Sequence, residues 1–279
     1  MVTTKTERNH KIKLSKRLET ILELVPESCN FLVDVGCDHG LLSDAFLRLN
    51  NENKALLIDL REKPLEKAKH NLIVKSKHSS ERLRFSLSSG LLDWNVNDSQ
   101  DDSLGDATCI VIAGLGAKEI INILAEKLDQ LRRANFYPEM DVYLIIQAMR
   151  NQENIRLFMR ENNFPMLEQV IIEDKDFVYS VDLYRMNFSE IDSYPELKSS
   201  NNLVDFLGEN LLEFLQETNF TNKSKKYDNN IAQKYLERQI RIAVKESQSL
   251  SESLLEERMK MIDMMKSYLK DNREEMELD

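Results

Sequence analysis

The stretch that decides the fold is FLVDVGCDHGLLSDAFLRLN, Phe31 to Asn50. Its first five residues are apolar apart from Asp34, as in a buried strand, and from Leu41 onward the apolar residues take helical spacing. Gly36 and Gly40 bracket the loop between them. A strand that turns through glycines into a helix brings backbone N–H groups and a helix N-terminus to the strand tip, which makes a cradle for a nucleotide-like ligand. The spacing is not G-x-G-x-x-G, so the dinucleotide fingerprint fails. Two ionisable residues, Asp38 and His39, stand in a loop whose backbone must approach a ligand, and they need a chemical reason to be there.

Working outward, apolar runs at 31–35, 54–60, 83–88, 107–114 and 141–149 read as strands, with helical patterns at 41–50, 62–77, 117–131 and 151–162. That rhythm predicts an α/β fold with a parallel, Rossmann-like sheet. MLEQVIIED and FVYSVDLYRM, separated by Lys175-Asp176, then predict an antiparallel hairpin that closes the sheet. Ahead of it, LSKRLETILELV predicts an amphipathic helix that shows Lys13, Lys16 and Arg17. The polar stretch EIDSYPELKSSNN suits a linker. Beyond it the pattern is helical only: a short helix over NLVDFLGENLLEFLQET and a long one from about Asn230 to Lys270, expected to pair as a coiled-coil-like hairpin. The apolar seam of the long helix shifts by one residue near Leu254 and Leu255, as a stripe drifting round a helix would. Met259, Met261, Met264 and Met265 read as core filler rather than a ligand surface. The expected division is residues 1–190 for the sheet domain and 200–279 for the helical one.

Composition narrows the chemistry. No run of about 18 apolar residues is present and the N-terminus has no apolar h-region, so the reading is cytoplasmic, with no membrane span. Cys29, Cys37 and Cys109 have no C-x-x-C spacing, which argues against a metal site or a disulfide framework. The net charge of -10 opposes nucleic-acid binding, yet from Lys5 to Arg17 six basic residues face one acid. Arg132-Arg133 and Lys223, Lys225 and Lys226 are further basic clusters.

The strand tips carry the remaining signals. Asp59 ends the second strand, 25 residues after Asp34, where a carboxylate can accept both hydroxyls of a ribose. At the third tip Ser89, Gly90 and Leu91 can flank an adenine ring, and at the fourth Ala113, Gly114, Leu115 and Gly116 leave an open approach.

The segments LSKRLETILELV, DVGCDHG, EKPLEKAKHNL, IAGLGAKEIINIL, LIIQAMRNQENIRLFMRENNF and VIIEDKDFVYSVDLYR together resemble the bacterial tRNA (adenine(22)-N(1))-methyltransferase family, from about Lys11 to Met186. The helical C-terminal part resembles that family's appendage. Leu115 and Ala117 depart from the family's I-A-G-M-G-G element, and Ala148 and Met149 from its Q-P-N element, while Gln147 is retained. The resemblance implies a class I fold that takes S-adenosylmethionine, without a metal, and tRNA as partner, with no obligate protein partner. It implies a cofactor set of Asp34, Gly36, Cys37, Asp38, Gly40, Asp59, Leu60, Ser89, Gly90, Ala113 and Gly114. Asp38 and His39 become the catalytic candidates. Asp38 would stabilise the cationic methylated ring and accept the amino proton, and His39 would orient it or contact cofactor or RNA. Gln147 and Gly116 would meet the base; Lys13, Lys16, Arg17, Arg132, Arg133, Lys225 and Lys226 would meet phosphates. The alternatives are a methyltransferase for another RNA position or a small molecule, and a non-catalytic cofactor-binding or coiled-coil interaction protein.

Overall fold

The computed structural model describes residues 13–94, 107–134, 141–186, 202–217 and 227–276. Seven strands form one sheet: β1 (Cys29–Val35), β2 (Lys54–Asp59), β3 (Leu83–Leu87), β4 (Ala107–Leu115), β5 (Asp141–Ala148), β6 (Met166–Asp174) and β7 (Phe177–Met186), in the order β3-β2-β1-β4-β5-β7-β6. The pairs up to β5 are parallel, with Val35 opposite Ile58 of β2 and Ile112 of β4. β7 then runs antiparallel to both β5 and β6. The strand order reverses beside β1, so a crevice opens beyond the carboxyl ends of β1 and β4.

Side-chain alternation along the strands divides the helices between the two faces. Phe31, Val33 and Val35 pack with α4 (Ala117–Arg133) and α5 (Gln152–Glu161). Leu32 faces the other way, toward α1 (Lys16–Glu23), α2 (Leu41–Leu49) and α3 (Glu62–Lys69). Asp34 shares that second face. The helix expected over 62–77 continues past α3 as a π-helical turn, His70–Lys75, in which Ser76 N–H donates to the Asn71 carbonyl at 2.9 Å. The wider turn lets Asn71 Nδ2 donate to the His39 carbonyl at 3.0 Å and so steady the loop after β1.

The C-terminal helices are α6 (Leu203–Leu207), α7 (Glu209–Glu217), α8 (Asn229–Ser247) and α9 (Glu252–Met276). Phe206, Leu211 and Leu236 form a core with Ile171 of β6 and Val178 of β7, so these helices cover the antiparallel end of the sheet. The helix expected from Asn230 to Lys270 is broken at 248–251, where Ser249 and Leu250 N–H groups bond three residues back. The hairpin is therefore α8 against α9, and not the first C-terminal helix against one long one. Ile262 and Met265 pack with Leu236 and Ala243, and Arg258 Nη1 donates to Glu246 Oε2 at 3.1 Å. The one-residue seam shift at Leu254 marked a chain reversal, not a drifting stripe. Of the methionines expected in the core, Met261 and Met265 are buried, whereas Met259 and Met264 are exposed because they lie off the face that α9 turns to α8.

A buried polar network ties these helices to the sheet. The Arg156 guanidinium of α5 donates to Asp182 of β7 (Nε to Oδ2, 2.9 Å), Ser180 Oγ (2.8 Å), the Asp205 and Phe206 carbonyls (3.2 and 2.9 Å) and Tyr235 Oη (3.1 Å). Charge-assisted bonds from every nitrogen offset the cost of burying the cation.

Candidate active site

The crevice at the sheet's reversal point is a cavity of about 1050 Å³, at the upper end of the ~300–1,000 Å³ range of small-molecule sites. Its floor is the strand tips: Val35 and Gly36 from β1, Ile58 and Asp59 from β2, and Ala113 to Gly116 from β4.

The loop after β1 is held in shape by its own hydrogen bonds. Gly36 and Cys37 N–H groups donate to the Ile58 carbonyl at 2.8 and 3.1 Å, Gly40 N–H to the Cys37 carbonyl at 2.8 Å, and Asp38 N–H to Asp59 Oδ2 at 3.3 Å. Four of the loop's N–H groups are thus taken up by the fold itself, and the loop offers a ligand a fitted surface and the Asp38 carboxylate. Gly40 has φ +71 and a Cβ there would lie 2.5 Å from Leu72 Cδ1, so the helix start needs glycine. Gly90 is similarly placed, with φ +83 and a Cβ position 2.8 Å from Ile123.

Of the residues expected at a cofactor, Gly36, Asp38, Asp59, Leu60, Ser89, Gly90, Ala113 and Gly114 line the cavity, and so does Gly116, expected at the base. Asp34, Cys37 and Gly40 do not. Asp34 projects to the α2 face, where Ser43 Oγ donates to its Oδ2 at 2.6 Å. Burial raises its pKa to about 6, the Ser43 bond works against that rise, and the Asp59 charge adds to it. Cys37 is buried, and burial pushes its thiol well above the ordinary range. Gly40 packs beneath the loop against Leu72.

Asp59 is itself buried at the cavity wall; its Oδ1 accepts from Arg61 N–H at 2.9 Å and Arg61 Nε at 3.3 Å, and its Oδ2 from Asp38 N–H at 3.3 Å. With Ser89 and Gly90 at the next tip, this donor and acceptor set fits a ribose and an adenine ring. The fit is one of shape and acceptors, since the described residues group no three or more His, Cys, Asp or Glu around a metal position.

Asp38 sits at the rim with φ +48 and a side chain 63% exposed. His39 does not line the cavity; its Nε2 lies 2.9 Å from Lys67 Nζ and 3.6 Å from Asp38 Oδ1. A separation of 3.6 Å is too long for a hydrogen bond. His39 is therefore a neighbour of Asp38 held by α3 and not its hydrogen-bonded partner.

Gln147 is fully buried at the end of β5 and lies outside the cavity lining. Its Oε1 accepts from Arg17 Nη1 at 2.8 Å, and its Nε2 donates to the Ala148 carbonyl at 2.9 Å. Arg17, expected on a phosphate-binding arm, lines the cavity instead. Lys13 and Lys16 are exposed on the same short segment. Arg132 and Arg133 end α4, whose 17 residues span about 25 Å at ~1.5 Å per residue, so they lie far from its cavity end. Arg133 also pairs with Asp129 at 2.5 Å. Lys225 and Lys226 lie outside the described residues.

One wall of the cavity was not expected from the sequence. Lys118, Glu119, Asn122, Ile123 and Glu126 of α4 all line the cavity, a helical stripe starting beside Gly116. Helical spacing downstream of an open strand tip was the available signal. Met149, which also lines the cavity, is held from outside: Arg238 Nη2 of α8 donates to its carbonyl at 3.1 Å, and Asn151 Nδ2 donates to Glu246 Oε1 at 3.0 Å.

Known proteins share sequence and fold with this chain. A putative tRNA methyltransferase of Mycoplasma genitalium is 27% identical over 176 residues, 60% of this chain and 68% of that one. The tRNA (adenine(22)-N(1))-methyltransferase of Bacillus subtilis is 26% identical over 177 residues, 62% of this chain and 65% of the other. The structure of M. capricolum TrmK in complex with S-adenosyl-homocysteine superposes with a TM-score of 0.58 at 23% identity, covering 92% of this chain and 98% of that one, so the fold is shared through the C-terminal helices. The family model described as a methyltransferase domain matches residues 14–181, from just before α1 into β7. With its sheet order, its crevice and that match in agreement, the chain belongs to the methyltransferase domain family.

Proposed function

We propose that this chain is a cytoplasmic tRNA methyltransferase that uses S-adenosylmethionine to methylate N1 of adenosine 22. The observation that carries the reading is a single cavity with two ends. One end, Gly36, Asp59, Ser89 and Gly90, fits an adenosyl group; the other, Leu115, Gly116 and Met149 with Arg17 above them, leaves room for a second base. The activity of the B. subtilis relative and the bound product in the M. capricolum structure support the same reading.

S-adenosylmethionine, when bound, supplies an electrophilic methyl group. The chain's residues align the partners, since adenine N1 has a lone pair and needs no base to become a nucleophile. Asp59 accepts from the ribose, and Ser89 with Gly90 borders the adenine of the cofactor. Asp38, at the rim where the two ends meet, faces the ring that becomes cationic; its carboxylate stabilises that charge and can take a proton from the exocyclic amino group. The target adenosine must leave its stack to reach the cavity. Lys13, Lys16 and Arg17 provide local positive charge on a chain of net charge -10, so binding should weaken steeply with salt.

The test is methyl transfer from labelled S-adenosylmethionine into unmodified tRNA, with the product mapped by nucleotide. Incorporation at adenosine 22, lost when that position is guanosine, is the expected outcome. Incorporation at another nucleotide would move the substrate assignment, and none in any tRNA pool would overturn the enzyme.

A further inference from the structure

Gln147 cannot meet a base as it stands. Both ends of its amide are occupied, Oε1 by Arg17 and Nε2 by the Ala148 carbonyl, and the residue has no exposed surface. What it presents to the cavity is Arg17. We infer that Arg17 is the oxyanion-binding residue of this cavity and that Gln147 is its positioning residue.

Three observations converge. The Arg17–Gln147 bond joins positions 130 residues apart, fixing the N-terminal helix α1 over the tips of β4 and β5. The guanidinium has five N–H donors, and among the described residues no carboxylate lies within ion-pair distance of it. A half-buried cation that meets no counter-ion among the described residues at a cavity wall is suited to receiving one from a ligand. The backbone beneath is shaped for it: Gly114 has φ +81 at the register shift between β4 and β5, and a Cβ there would sit 3.2 Å from Arg17 Nη1. An alanine at 114 would be strained by the left-handed φ and would press on the guanidinium by a few tenths of an ångström. Gly116 next to it has open space where a Cβ would stand, leaving the anion an approach.

The inference rests on the proposed function, which supplies two oxyanions of this kind: the carboxylate of S-adenosylmethionine and a phosphate flanking the target adenosine. Two arms separate them. In the first, wild-type protein, Arg17→Ala and Gln147→Leu are titrated with S-adenosylmethionine and with its decarboxylated analogue. If Arg17 holds the carboxylate, the wild type favours the carboxylated form, and Arg17→Ala lowers that preference about 10–100-fold. In the second, the KM for tRNA is measured against salt. If Arg17 holds a phosphate, Arg17→Ala raises KM and reduces the slope of log KM against log[salt] by about 0.7–0.9.

In whichever arm responds, Gln147→Leu should show a smaller effect in the same direction, about five- to tenfold, that vanishes in the Arg17→Ala background. Additive effects would make Gln147 merely structural and overturn its positioning role. A wild type that methylates tRNA while Arg17→Ala changes neither arm overturns the oxyanion site and leaves the proposed function standing. A wild type that methylates no tRNA overturns that function, and the cofactor titration still reads Arg17.

Discussion

Asp38 adopts a left-handed conformation that few side chains other than Gly, Asn and Asp take readily. Its backbone N–H is tied to Asp59, so the carboxylate is held at the rim while the main chain serves the fold. Replacing Asp38 with Ala should leave S-adenosylmethionine affinity within a few-fold and slow methyl transfer by about 100-fold or more, as when an acid-base group is lost; a collapse of cofactor affinity would make Asp38 a cofactor ligand instead. Glu153 is the opposite kind of acid. It is buried in α5, and neither carboxylate oxygen meets a hydrogen-bond partner outside its own residue. Burial pushes its pKa from 4.5 to about 7; a backbone bond opposes the rise and the Glu246 charge adds to it. The fold therefore favours the protonated form. Its contribution to stability is complete below about pH 4.5 and is lost as the pH rises through about 7. Glu153→Gln removes that dependence. In urea denaturation the stability of the variant relative to wild type should rise by about 3 kcal/mol between pH 4.5 and 8.5.

At the scale of elements, the start of α2 is the most constrained junction. Gly40 sits against Leu72, Ala68 and Leu57, all buried, so none can move aside. Gly40→Ala should cost about 2–4 kcal/mol, combining left-handed strain with overpacking; thermal or urea denaturation reads it directly. The strands were legible to within two residues because each is a short, largely apolar run, and several of them end at Asp, Gly or Ser. The parallel order and the closing hairpin followed from the alternation with helices. The α8–α9 turn was not legible, since Ser, Gln and Ser leave a helix less abruptly than Gly or Pro and the seam shift suited two readings. In the site, glycines and strand-end acids pointed to the crevice at the sheet's reversal point. Which side of the sheet Asp34 faces, and which partner Gln147 holds, depend on strand alternation and on a helix 130 residues away. Neither is encoded in local spacing.

Across the molecule, Arg156 is the point where the sheet and the C-terminal helices share a single polar core. Arg156→Ala would leave Asp182, which is fully buried, without its cation. Breaking a buried pair from one side costs about 3–5 kcal/mol, and the variant should show that loss in urea denaturation. The same network bears on how the protein can be dissected. Asp205, Phe206 and Tyr235 provide three of the guanidinium's acceptors, and all three lie beyond residue 202. Ending the chain there would strand those donors in an apolar setting and uncover Ile171 and Val178. A minimal catalytic fragment therefore cannot be made by trimming the helical end; it would need a redesigned antiparallel edge.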